Sequence, residues 1–200
     1  MRPMVRLLLV LLFASLGAVD AVAADGDPHA TDRQALIAIF HEMEAAINAQ
    51  DVERMIAQMS PDVTVTWLNG EVSRGHDQVR AYYGKMVRGE QRILDRYLTA
   101  ARIGAPARFF AEGTVAVADG TMVDQFFPVA RGPFSLDSNW TTTLARIDGK
   151  WKVVSLHLSA NVFTNSLMAE AKAALWWVAA GAGAAGVLLG LLIGWMRRRR

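Results

Sequence analysis

The chain has 200 residues, no cysteine, and 21 basic against 19 acidic side chains. That length allows one ordinary domain with something left over, and the lack of cysteine excludes disulfides, thiolate metal sites and cysteine nucleophiles. Hydrophobic residues make up 52% of the chain, high for a wholly soluble protein, and they gather at its two ends.

Arg2 and Arg6 precede an apolar run from Leu7 to Val19. Ala21, Val22 and Ala23 supply the small residues a signal peptidase accepts, so residues 1–23 read as a secretory signal peptide cleaved after Ala23. An uncleaved anchor is the alternative, because Asp20 sits in the cleavage region. Residues 24–31 form a polar leader.

The main domain spans residues 32–165 without internal repeats. Leu36, Phe40, Met43 and Ile47 fall at helical spacing, which predicts an amphipathic helix over 32–49. Asp51 caps a second, short helix running through Met59. Residues 62–68 alternate and are β-branched, hence a strand, and helical periodicity returns over 75–94. Strands follow at 96–103, 108–118, 121–127, 138–147 and 151–160. Asn69-Gly70, Asp119-Gly120 and Asp148-Gly149 read as tight turns, each offering residues that tolerate positive φ. Helices first and a long antiparallel sheet afterwards is the α+β pattern.

Residues 166–172 are a juxtamembrane linker. Between Lys172 and Arg197 there are 24 positions without a charge. At about 1.5 Å per residue these exceed a hydrocarbon core of about 30 Å, so residues 173–196 are expected to be a transmembrane helix. Trp176, Trp177 and Trp195 lie near its ends, where indole rings favour the interface. The basic tail 197–200 keeps the C-terminus cytoplasmic and the domain on the periplasmic or extracellular side. Without Arg2, Arg6, Asp20 and the four terminal arginines, 15 basic and 18 acidic residues remain, a net charge of −3. Nucleic acid is therefore not an expected partner. Ala182, Gly186, Gly190 and Gly194 recur every four residues, a small-residue stripe that predicts homodimer formation within the membrane.

Four pieces in order, AAINAQD (residues 45–51), MSPDVTVTW (59–67), SRGHDQVRAYY (73–83) and DGKWKVVSLHLSA (148–160), resemble the SnoaL-like group of the nuclear transport factor two superfamily. The resemblance covers nearly all of residues 32–165. It implies a cone-shaped fold, three N-terminal helices packed on a curved antiparallel sheet with a pocket between them, and commonly pairing through the sheets. Superfamily members include ketosteroid isomerase, polyketide cyclases, dehydratases and a kinase association domain, so fold alone does not choose a function.

Ketosteroid isomerase chemistry needs a carboxylate base, and a tyrosine with a protonated aspartate to hold an enolate oxygen. By resemblance the base position carries Trp67, the tyrosine position Met43, and the second donor falls at Thr142 or Thr143. An indole and a thioether cannot abstract a proton, so that mechanism is not matched. Resemblance to the kinase association domain puts Val154, Leu156 and Leu158 on the cavity side of the last strand and Ser155 and His157 outside. Periodicity permits the same reading, with His157, Ser155 and Ser159 inside as the alternative.

The four histidines, His29, His41, His76 and His157, lack metal-ligand spacing, and no metal or cofactor is expected. Asp124 reads as a solvated strand residue. One of Tyr82 and Tyr83 is expected to offer its hydroxyl to the pocket while the other packs. Two function classes stand. The first is a membrane-tethered binding or assembly module whose apolar cavity, lined by Met43, Trp67, Tyr83, Trp140, Thr142, Leu144, Leu156 and Leu158, takes a small apolar molecule. The second is an isomerase, cyclase or dehydratase that uses His41, Asp124 or an inward His157 in place of the missing base.

Overall fold

A computed structural model describes residues 26–199. The expected signal peptide, the start of the leader and Arg200 lie outside the described residues. Helix α1 (Ala30–Asn48) carries Leu36, Ile39, Met43, Ala46 and Ile47 on the face that meets the core. It ends where Gln50 turns to a φ of 58°. Asp51 then caps α2 (Val52–Ala57), its carboxylate accepting from the Arg54 backbone N–H at 3.1 Å. Met59 does not continue that helix: it opens strand β1 (Met59–Thr66).

The Asn69-Gly70 turn reverses the chain into β2 (Val72–Arg74), with Gly70 at a φ of 82°. Helix α3 (Gly75–Tyr83) follows and closes in a π-helical turn, Gly84–Arg88, so the helical stretch stops short of the predicted residue 94. Leu94 instead begins β3 (Leu94–Ile103), followed by β4 (Arg108–Phe110), β5 (Val115–Pro128), β6 (Phe134–Ile147) and β7 (Lys150–Ala160). The strands form one curved sheet in the order β2-β1-β7-β6-β5-β3, with β4 also on β5.

The sheet is mixed, not antiparallel throughout. β1 runs parallel to β7, with Val65 opposite Leu156 and Thr66 opposite His157. These two strands lie far apart in sequence, so no hairpin turn forces them to be antiparallel. A second correction concerns Asp119-Gly120, which is no turn. Both residues lie within β5, where Gly120 pairs with Trp140 and with Ile103. The reversal falls earlier, at Ala111, Glu112 and Gly113, all at positive φ. Asp148-Gly149 is a turn as predicted, at φ of 49° and 75°.

The core fills the concave side of the sheet. Val52, Met55 and Ile56 of α2, Val63 and Val65 of β1, Val79 and Tyr83 of α3, and Leu144, Trp151 and Val153 of the last hairpin are all buried together. At the sheet's far end, Asp32 of α1 accepts from the Trp151 indole N–H at 2.9 Å and pairs with Arg146, pinning the helix across β6 and β7. Asn48 makes two bonds to the Thr99 backbone, at 2.8 and 2.9 Å, and so fixes the other end of α1 on β3.

Helix α4 (Ser166–Arg198) has 33 residues, is capped by Asn165 through the Met168 N–H at 2.9 Å, and is long and apolar enough to cross a membrane. No residue along its length is buried, and only its first turns touch the domain. Arg131 in the β5–β6 loop pairs with Glu170 at 2.5 Å, and the Ser166 hydroxyl donates to the Ser135 carbonyl.

Candidate functional site

A cavity of about 480 Å³ opens between α1, α3 and the concave face of the sheet. Met43, Trp67, Tyr83, Trp140, Thr142, Leu144, Leu156 and Leu158 all line it. Alternation brings the β6 set together, since Trp140, Thr142 and Leu144 share one face of the strand. Ile37 on α1, Ile103 at the end of β3 and Gly104 to Pro106 after it line the cavity and are exposed, which marks its mouth.

Trp67 sits just after β1, its indole N–H donating to the Ser73 hydroxyl at 2.9 Å and its ring stacked on Tyr82 at 4.1 Å. That stack, with planes 6° apart, makes a flat aromatic wall. Tyr82 and Tyr83 both border the cavity. The Tyr82 hydroxyl faces Asn69 at 3.4 Å, while the Tyr83 hydroxyl is buried without a partner among the described residues. Burial pushes the Tyr83 phenol up to about 12. The Thr142 hydroxyl is spent on the Ser155 carbonyl at 2.9 Å.

On β7 the cavity takes Val153 in place of Val154. Leu144 pairs with Val153 but Thr143 with Ser155, so a bulge at Val154 shifts the alternation by one residue there. Beyond the bulge the predicted register returns, and Leu156 and Leu158 point inward. His157 is exposed on the outer face between Thr66 and Thr141. The inward alternative for His157 is thereby overturned. His41 is also exposed and does not border the cavity, because it falls on the solvent side of α1.

Asp124 is the main correction. It is 0% exposed, not solvated, because β5 is not the sheet's edge there: β3 and β6 flank it and the even-numbered residues turn to the concave side. The Tyr97 hydroxyl donates to one carboxylate oxygen at 2.6 Å, and the Ser138 hydroxyl donates to the other. No arginine or lysine pairs with Asp124 among the described residues. Tyr97 borders the cavity and stands between it and the carboxylate. Burial first, and then the neighbouring Asp124, hold the Tyr97 phenol well above its ordinary value of 10.0. Sequence reasoning missed Tyr97 and Ser138. The available signal was an in-phase polar residue on each of three strands, legible only once their register was known. Among the described residues, the Thr99 hydroxyl and the Trp140 indole N–H are buried nearby without partners.

The arrangement is a mostly apolar chamber with one buried polar knot in its wall. Among the described residues no three histidine, aspartate or glutamate side chains come together as a metal centre would require. Several solved structures share the architecture. A hexachlorocyclohexane dehydrochlorinase from Novosphingobium barchaimii is 14% identical, over 68% of this chain and 90% of that one, at a TM-score of 0.58. A scytalone dehydratase candidate from Novosphingobium aromaticivorans is 16% identical over 66% and 85%, at 0.56. A nuclear transport factor 2-like superfamily protein from Salmonella enterica is 19% identical over 68% and 95%, at 0.54. At these identities the likeness is one of fold. No curated protein sequence matches this chain. The SnoaL-like domain profile matches residues 36–163, and the chain belongs to that family.

Proposed function

We propose that this SnoaL-like domain is held at a membrane by α4, on the periplasmic or extracellular side, and binds a small, largely apolar molecule in its cavity. The cavity carries this reading: about 480 Å³ lies within the range of small-molecule sites, and its wall is built of aromatic and aliphatic side chains. Among the described residues, the unpartnered Tyr83 and Thr99 hydroxyls and the Trp140 indole N–H are the polar groups left in a wall that is otherwise apolar. Most of the affinity therefore comes from buried apolar area, at roughly 25 cal/mol per Å². The flat Trp67–Tyr82 stack favours a planar ligand. Native mass spectrometry of the detergent-purified protein tests this, with a co-purifying apolar molecule expected. A chain that carries none and takes up no environment-sensitive apolar dye refutes it.

The membrane part of the proposal has its own test. Protease added to cells with a permeabilised outer barrier digests the domain and spares a tag placed after Arg200; a digested tag reverses the orientation. Pairing of two copies through the Ala182, Gly186, Gly190 and Gly194 stripe belongs to the same proposal. Gly186→Leu with Gly190→Leu then weakens dimerisation in a membrane reporter assay.

A second reading is favoured by one observation, the 2.6 Å bond between Tyr97 and Asp124. Two titratable groups within hydrogen-bond reach in a cavity wall are the minimum for acid–base work on a small hydrophobic substrate. Tyr97 would take the substrate proton on its oxygen as its own proton passes to Asp124. The high Tyr97 pKa, and the engagement of both carboxylate oxygens, oppose that transfer, and so binding is the stronger reading. If the pair is catalytic, Tyr97→Phe abolishes turnover while leaving ligand uptake in place.

A further inference from the structure

We infer that the tip of the β5–β6 hairpin, with Ile93 beside it, docks into the lipid headgroup layer of the membrane that α4 enters. The inference rests on the proposed membrane anchor and adds a second contact between domain and bilayer. Its geometry begins at the ion pair between Arg131 and Glu170 and the hydrogen bond from Ser166 to the Ser135 carbonyl. Both tie the hairpin to the first turns of α4. Glu170 lies three residues before Ala173, where the uncharged run begins, and six before Trp176. At about 1.5 Å per residue an upright helix puts it about 4.5–9 Å above the hydrocarbon, and tilt brings it lower. The headgroup layer is about 5–7 Å deep on each side. Arg131 is therefore held at headgroup depth by its own ion pair.

The surface carried to that depth has suitable chemistry. Val129 and Ile93 are bonded neighbours, Val129 N–H to Ile93 carbonyl at 3.1 Å, and they are 54% and 48% exposed. Around them stand three arginines. Arg96 lies 4.2 Å over the Phe127 ring, Arg131 lies 4.6 Å over Phe134, and Arg92 pairs with Asp95. Lys172 follows on the helix. Exposed aliphatic side chains ringed by guanidinium groups suit a layer with phosphates above and acyl chains below. A soluble protein partner offers no reason for this patch to sit at the helix root. The opposite end of the sheet, at the Asp148-Gly149 turn, is a whole strand length away along β6.

The cysteine-free chain makes the test direct. Single cysteines replace Val129, Asp148 or Val187 in the full-length protein, which is labelled with an environment-sensitive fluorophore. The labelled protein is reconstituted in phosphatidylcholine vesicles with and without phosphatidylglycerol. The Val187 probe is expected to be quenched by a spin label deep in the acyl chains. The Val129 probe is expected to be quenched several-fold more strongly by a headgroup spin label than the Asp148 probe, and more so with phosphatidylglycerol present. Ile93→Asp with Arg131→Glu, both at exposed positions, should return the Val129 probe to solvent-like emission. A Val129 probe that matches Asp148 while Val187 is quenched overturns the docking and leaves the anchor standing. Undiminished quenching in the double variant also overturns it, because the tether alone would then set the height. An unquenched Val187 probe removes the anchor, and the docking with it.

Discussion

The indole of Trp140 occupies the space that a side chain on Gly120 would need. A Cβ added at Gly120 would stand 2.7 Å from the Trp140 ring and 1.9 Å from the Arg102 carbonyl on β3. Gly120 therefore serves close packing inside a strand, which lets Trp140 lie against β5 and form part of the cavity wall. Gly120→Ala must push β3 away from β5 or lift the indole. It is expected to cost about 3 kcal/mol in urea unfolding, at the upper end of overpacking. A cost below about 1 kcal/mol would mean that the sheet gives way there without strain.

Leu156 and His157 are adjacent in sequence and lie on opposite faces of β7, one lining the cavity and one exposed. Leu156→Asp puts a carboxylate without a partner against the ligand and is expected to abolish uptake. Trp67→Ala removes half of the aromatic wall and should weaken uptake at least tenfold, since a lost stack and its buried area together exceed 1.4 kcal/mol. His157→Ala should change nothing. Dye titration measures all three, with thermal melts to verify folding. Lost uptake in folded His157→Ala, beside an unaffected Trp67→Ala, would transfer the site to the outer face.

The fold was largely legible because its signals are local. Leu36, Met43 and Ile47 repeat at helical spacing, and Trp140, Thr142 and Leu144 alternate, so all of them found their face before any strand was paired. What stayed hidden depends on pairing. The Val154 bulge substitutes Val153 in the cavity wall, a one-residue slip that no single-strand pattern records. Gly120 carries a turn's composition in the middle of a 14-residue strand. Asp124 is a charged residue whose type, at an expected strand edge, assigns it to solvent, and only the flanking strands with Tyr97 and Ser138 explain its burial.

Asp124 supplies the acceptors for two buried hydroxyls. Asp124→Ala leaves both unpaired, at about 1–3 kcal/mol each, and a total loss of about 3 kcal/mol is expected. Asp124→Asn keeps one acceptor oxygen and should lose about half as much. Urea unfolding of the pair gives this ranking directly. Equal losses in Ala and Asn would show that the charge, not the hydrogen bonding, holds the knot together.

Alkaline pH should loosen the protein through its buried tyrosines. In the folded chain, burial and the nearby Asp124 hold Tyr97 far above the ordinary tyrosine value, and burial holds Tyr83 at about 12. In the unfolded chain both titrate near 10. Below about pH 10 both states keep these protons and the stabilisation is complete. As pH climbs past 10 the unfolded state releases them first, so it binds fewer protons than the native state and stability falls with pH. The loss ends for Tyr83 near its folded value and continues higher for Tyr97. Each tyrosine contributes a slope of at most about 1.4 kcal/mol per pH unit in that window. Tyr97→Phe removes one proton from this balance. It starts less stable at neutral pH, having lost the bond to Asp124, but should decline less steeply above pH 10. Urea midpoints taken at intervals from neutral to alkaline pH measure both slopes. Parallel slopes for the variant and the native chain would mean that Tyr97 ionises as freely in the folded protein as in the unfolded one.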